Sequence, residues 1–185
     1  MTVPVPKALP LRYFPDPILQ VKCKPILEIG PEIKQLAYDM LLTMMRNDGL
    51  GLAAPQVGHP IRMIVVDVEW PEKKVDSQSF VLINPIVKVE GEPTVKSVEG
   101  CLSFPGERFD RVRAPKVHVL STDLDGSPFT MEATGLLAVV IQHEMDHLEG
   151  KTVASGLSWM KRDLLRKQVE KALRFQKRLV PIRGR

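Results

Sequence analysis

The feature that most restricts what this chain can fold into is the segment GLLAVVIQHEMDHLEG, where an aliphatic run leads straight into His143, Glu144 and His147. With Thr134 as N-cap and Gly150 as the stop, it reads as a helix whose first turns are apolar on nearly every side, and such a helix belongs inside. Ionisable groups at the end of an interior helix are costly unless they find partners, and a dication is such a partner. At spacing i, i+4 the two imidazoles project from one face, with Cβ atoms about 5–6 Å apart, and can share one metal ion. Glu144 lies roughly 100° further round, within reach of a water on that ion, the position of a general base. The plainer alternative is a charged turn facing solvent.

A hydrolytic metal site keeps three protein ligands and leaves a position for water. No histidine follows His147. Glu170 is the downstream candidate, and it would make the chain a metallopeptidase of the HExxH type. Its helical neighbours Lys167, Lys171 and Arg174 suit it better to a solvated ion pair. Upstream, VEGCLSFPG offers Cys101 next to Gly100, in a strand-to-loop passage where backbone approaches closely. A thiolate held by a dication is deprotonated outright, which strengthens Cys101 as a ligand. Cys23 has no such company, and two cysteines are too few for a disulfide framework. His59, in a Gly-His-Pro turn, and His118, in an alternating strand, fit surface or packing roles, and Trp70 and Trp159 suggest ordinary packing.

The rest of the chain predicts an α+β domain. PEIKQLAYDMLLTMMRNDG sets Ile33, Leu36, Ala37, Met40, Leu41, Met44 and Met45 on one face of an amphipathic helix opened by Pro31 and closed at 47–49. RMIVVDV and FVLINPIVKV read as strands joined by a charged connection at 73–79, and KVHVLSTDLDGSPFTMEA as a hairpin turning at Asp125-Gly126. MKRDLLRKQVEKALRFQKR is a second amphipathic helix, with Leu164, Leu165, Val169, Ala172 and Leu173 as its stripe. The expected architecture is antiparallel or mixed sheets wrapped around a buried metal-binding helix, with an N-terminal amphipathic helix and an extended C-terminal one. A single catalytic domain spans 1–185, with a basic helix at 161–179 and a flexible tail at 180–185.

Charge is distributed unevenly. From Trp159 onward ten basic residues face two acidic ones, a surplus of eight, so the whole-chain +4 leaves the preceding body at −4. A polyanionic partner could dock on that helix, and a metal-stabilised RNA- or ribosome-binding module is therefore a second alternative class. There is no run of apolar residues long enough to span a membrane and no secretory or transit pattern at the start, which predicts a soluble, cytoplasmic protein.

GLGLAAPQ, EGCLS and QHEMDHLEG, in that order, resemble the motifs of peptide deformylases. The similarity extends through DPIL, VLINP and DLDGSPFTMEATGLLAVVIQHE to the helical tail, which resembles the bacterial type-1 branch. That resemblance implies Cys101, His143 and His147 as metal ligands, Fe(II) as the usual ion with zinc, nickel or cobalt as possible occupants, and Glu144 as acid/base. It implies the amide of Gln56 and the backbone N–H of Leu102 as oxyanion donors. Leu50, Leu136, Val139 and Val140 would line a methionine pocket, Gly51 would pair with substrate backbone, and Arg108 would stand at the pocket mouth. Val139 and Val140 precede His143 by four and three residues, so helix geometry independently puts them on its face. The implied reaction is removal of the N-formyl group from the initiator methionine of nascent polypeptides, in the bacterial cytoplasm, with ribosome docking through the basic helix and no membrane or specific DNA partner. The chain departs from the family pattern after the metal helix, where GKTVASGL replaces a Leu-Phe-x-Asp stretch.

Overall fold

A computed structural model of the 185-residue chain describes residues 5–69 and 78–179. Trp70, most of the charged connection at 73–79 and the tail at 180–185 lie outside the described residues.

The N-terminal apolar face forms α1 (Pro31–Arg46), with Pro31 in the first turn, where its missing N–H leaves no bond unmade. Leu36, Ala37, Met40 and Met44 are buried, whereas Ile33, Leu41 and Met45 are half-buried at the margins. Two polar residues share the buried side. Asp39 Oδ1 accepts the Lys7 N–H and an amide proton of Gln35, each at 2.8 Å, and Thr43 Oγ1 accepts the Leu9 N–H at 2.8 Å. These bonds strap an extended N-terminal arm along the helix and explain how two polar side chains are tolerated there.

Seven strands follow among the described residues: β1 (Gly51–Ala53), β2 (Met63–Val66), β3 (Phe80–Glu90), β4 (Val95–Glu99), β5 (Phe109–Arg113), β6 (Lys116–Thr122) and β7 (Pro128–Thr134). Five form one antiparallel sheet in the order β1-β2-β3-β6-β7, and β4 and β5 pair as a separate antiparallel ribbon. Among the described residues parallel pairing is confined to a bridge between Lys24 and Ile61. β2 is buried on both faces, which is why it reads MIVV without alternation. Met63 and Val65 pack with α1, and Ile64 and Val66 pack with α2 (Gly135–Leu148) on the other side. The result is a helix–sheet–helix sandwich with the histidine-bearing helix against the sheet.

Two expectations for α2 need correction. Thr134 occupies the N-cap, yet its side chain makes no capping bond; the chain enters through Gly135 at φ 57° instead. The first turn is not interior either, because Leu136 borders an open cavity rather than the sheet and remains 54% exposed. The helix stops as expected, with Gly150 at φ 68°. A Cβ there would lie 2.6 Å from the Gln20 carbonyl oxygen, so only glycine fits.

The last helix, α3 (Trp159–Leu179), starts two residues before the expected 161. Leu165 and Val169 are buried and Ala172 and Leu173 half-buried, but Leu164 is exposed. The contact line runs through positions 165, 169, 172 and 173, and Leu164 stands about 100° away from Leu165. Trp159 does not pack either, being 80% exposed. Beneath α3 lies a cluster of Phe14, Cys101, Phe104, Val153 and Ala154, with the Phe14 and Phe104 rings stacked at 5.0 Å. Val153 and Ala154 come from GKTVASGL, so the departing segment supplies core to the floor below Cys101.

Candidate active site

β4 ends at Glu99, and the chain passes through Gly100 to place Cys101 over α2. Sγ of Cys101 lies 3.3 Å from Nε2 of His147, and one ligand atom from each of Cys101, His143 and His147 falls within 4.8 Å of the others. The imidazole rings meet edge to face with centroids 5.2 Å apart. Glu170 belongs elsewhere: Arg166 Nη1 holds it at 2.5 Å and Arg174 at 3.8 Å, the ion-pair role its neighbours implied.

A carboxylate that sequence reasoning left without a role governs the orientation of the first histidine. Nδ1 of His143 is 2.8 Å from Oε2 of Glu99, and a carboxylate can only accept, so Nδ1 carries a proton and Nε2 is the ring atom available to a metal ion that displaces its proton. Glu99 is itself gripped by Arg113, whose Nε donates to Oε1 at 2.7 Å and whose Nη2 donates to Oε2 at 2.8 Å. The third Arg113 contact, from Nη1, is to Asp146 at 2.8 Å. Burial opposes the charge on Glu99, but the hydrogen bonds from Arg113 and His143 prevail and hold its pKa at about 2. For His143 burial likewise disfavours the charged ring, and the bonds to Cys101 and Glu99 with the field of Glu144 outweigh it, raising the pKa to about 11. His147 is lowered to about 3 by burial, then by the charges of His143 and Arg113.

Glu144 sits beside this trio, 4% exposed, and burial pushes its carboxyl up to about 7. Two buried atoms here have no hydrogen-bond partner among the described residues, Oε2 of Glu144 and Nδ1 of His147. Backbone approaches Glu144 closely: a Cβ on Gly51 would lie 2.7 Å from Oε1 of Glu144 and 2.7 Å from Cγ1 of Val140. Gly51 belongs to β1, an edge of the five-stranded sheet.

Gln56 reaches the trio from a short helical turn at Ala54–Val57. Its Oε1 accepts the Ala53 N–H at 2.8 Å, and its Nε2 faces Cys101 Sγ at 3.5 Å and Ser103 Oγ at 3.2 Å. A cavity of about 510 Å³ opens over these groups. Leu50, Gly51, Gln56, Cys101, Leu102, Arg108, Leu136, Val139, Val140, His143 and Glu144 all line it, and His147 is buried behind them. Arg108 lies over Gly100, where a Cβ would clash with its Nη1. The other histidines stand apart: His59 is exposed, and His118 lies on the outer sheet face between Glu90 and Glu132. Cys23 is buried too, and burial raises its thiol to about 11.

Of the residues outside the sequence reading, Asp146 could have been found, being three positions after His143 and so on its face. Arg113 and Ser103 offered no local signal.

The donor set fits a metal ion. One sulfur and two imidazole nitrogens converge from separate elements, and an unpartnered carboxylate oxygen is buried next to them. Such a mixed thiolate and imidazole set suits late first-row dications.

Comparison with known proteins gives a consistent result. A family profile described as polypeptide deformylase matches residues 8–163. A peptide deformylase of Acinetobacter baumannii (strain SDF) is 46% identical over 171 residues, covering 92% of this chain and 94% of that protein. The crystal structure of a peptide deformylase from Legionella pneumophila superposes with a TM-score of 0.82 at 37% identity, covering 92% of this chain and 98% of the other. That of the Ehrlichia chaffeensis peptide deformylase in complex with actinonin gives 0.81 at 36% identity, over 89% and 97%.

Proposed function

The chain belongs to the peptide deformylase family, and from that premise we propose how its own residues carry out the family's reaction. It is a metal-dependent hydrolase that removes the N-formyl group from formylmethionyl nascent peptides and releases formate. The alternatives, a Glu170 metallopeptidase and a non-catalytic binding module, are not favoured.

Cys101 Sγ and the Nε2 atoms of His143 and His147 would hold the ion. Its contribution is Lewis acidity, which polarises the formyl carbonyl and acidifies water near neutral pH. The peptide adds along the β1 edge at Gly51, the absence of a side chain there letting substrate backbone come up beside Glu144. The methionine side chain occupies the apolar part of the cavity formed by Leu50, Leu136, Val139 and Val140, and Arg108 guards its mouth. Glu144 accepts a proton from the attacking water and later returns it to the leaving amine. Burial favours the protonated form of its carboxyl, which suits it to hold that proton between the two steps. The Gln56 amide and the Leu102 N–H donate to the oxygen that gains charge at the formyl carbon.

The observation that carries this assignment is the convergence of Cys101, His143 and His147, from two distant segments, within 4.8 Å beside a buried carboxylate. We propose iron(II) as the resident ion, as the resemblance to peptide deformylases implies, with zinc, nickel or cobalt as possible occupants that the same sulfur and imidazole donors would also accept. A thiolate beside a redox-active ion is prone to oxidation, so activity should decay in air with iron and persist with the others. The test is formate release from a formyl-Met peptide by anaerobically purified protein, with metal analysis on the same sample. Cys101→Ser should empty the site and abolish release, while Glu170→Ala should leave both unchanged; the reverse pattern would make Glu170 the ligand.

The exposed side of α3 presents Lys161, Lys171 and Arg178 alongside Trp159, Met160 and Phe175, and its two acidic residues are already paired with Arg166, Lys167 and Arg174. That surplus supports docking on the ribosome, where the substrate emerges, and so a working place in the bacterial cytoplasm. Removing α3 would strip Leu165 and Val169 from the core, so charge reversal is the cleaner probe. Lys161→Glu, Lys171→Glu and Arg178→Glu together should weaken salt-sensitive ribosome binding while sparing hydrolysis of a free peptide.

A further inference from the structure

The amide of Gln56 is 1% exposed and pinned at its oxygen end, because a backbone N–H can only donate and Ala53 donates to Oε1. This turns the NH₂ end towards Cys101. Two protons remain to be directed. Nε2 donates to Oγ of Ser103 at 3.2 Å and, on the cavity side, to Cys101 Sγ at 3.5 Å. We propose that Ser103 is a positioning residue for deformylation: its hydroxyl takes one amide proton of Gln56 and thereby aims the other at the cavity beside Cys101. The inference rests on Gln56 acting as an oxyanion donor.

Three observations support a role exerted through Gln56. Ser103 is fully buried and does not line the cavity, so it has no contact with substrate of its own. An amide fixed at both Oε1 and one N–H has its plane determined, and its second N–H can point only one way. The backbones of the two residues are also tied to one strand of chain: the Arg12 N–H donates to the Gln56 carbonyl at 2.7 Å, and the Phe14 N–H donates to the Ser103 carbonyl at 3.0 Å. Alternate residues of the N-terminal arm thus hold both backbones in register. A transition-state donor is effective only when it is aimed before the charge develops, so this rigidity has a catalytic use.

The test is a double-mutant cycle with kcat expressed per bound metal ion. Gln56→Leu removes the donor and should lower kcat by about 10²–10³-fold. Ser103→Ala removes only the aim and should lower kcat by about tenfold with KM unchanged, and in the Gln56→Leu background it should have no further effect. Ser103→Thr keeps the hydroxyl and should restore most of the rate, and it also serves should the alanine variant fold poorly. Equal losses from Ser103→Ala in both backgrounds would overturn the proposal by showing a role independent of Gln56. So would an unchanged kcat in the single variant. Should Gln56→Leu itself retain full turnover, the reading of Gln56 falls first and the positioning role with it.

Discussion

Nδ1 of His143 and Oε2 of Glu99 are 2.8 Å apart, and both oxygens of that carboxylate are also held by Arg113. The hydrogen bond fixes the tautomer that leaves Nε2 free to ligate, and the arginine fixes the carboxylate that fixes the ring. Outer partners of this kind commonly account for about 10–100-fold in metal affinity. Glu99→Gln should therefore weaken metal binding by about that factor, measured by competition with a chromophoric chelator. An affinity within about twofold of the unaltered protein would mean that the ring is oriented by packing alone.

Gly51 leaves room that no other residue can leave. A methyl group there would press on Oε1 of Glu144 and on Val140 at 2.7 Å each. Displacing a reacting group by about 1 Å can cost about 10²-fold. Gly51→Ala should lower kcat/KM by that order while metal content stays the same, and a rate within a few-fold would show that the carboxylate is free to move aside.

Adjacent leucines in α3 have opposite fates. Leu165 is buried with Phe104 and Val169, whereas Leu164 faces solvent. Leu165→Ala should destabilise the protein by about 2–5 kcal/mol, and Leu164→Ala should change stability by no more than about 0.5 kcal/mol, both read by denaturant unfolding. Equal losses would restore the stripe expected from periodicity.

That error shows where sequence reasoning stops. Histidines four apart at the end of an aliphatic run were legible because the helix puts them on one face by local geometry alone. Strands β2 and β3 and the Asp125-Gly126 hairpin were legible for the same reason, their signal lying within a few residues, whereas β1 sits in a stretch that reads as a glycine-rich turn and β5 carries no apolar alternation to mark it. Choosing between Leu164 and Leu165 depends on how α3 is rotated against Phe104, some sixty residues away in the chain. Glu99 stood in plain sight in EGCLS, but its role depends on Arg113 from the next strand and His143 from the helix, neither of which is near it in sequence. Exposure of Leu136 was missed because an apolar turn that lines a cavity has the same composition as one that lines a core.

The two thiols should differ in access once metal is stripped. Cys101 lines the cavity, and Cys23 is buried against the backbone of His147 and Val21. Iodoacetamide applied after chelation should label Cys101 first, and metal should protect it; mass mapping of the labelled peptide gives the answer. Preferential labelling of Cys23 would place the reactive thiol outside the site.

The most direct test of the metal centre is X-ray absorption on protein loaded with zinc. One sulfur at about 2.3 Å and two imidazole nitrogens at about 2.0–2.1 Å, with a light oxygen scatterer completing the shell, is the expected result. A shell without sulfur, in protein whose Cys101 is reduced and unmodified, would contradict it.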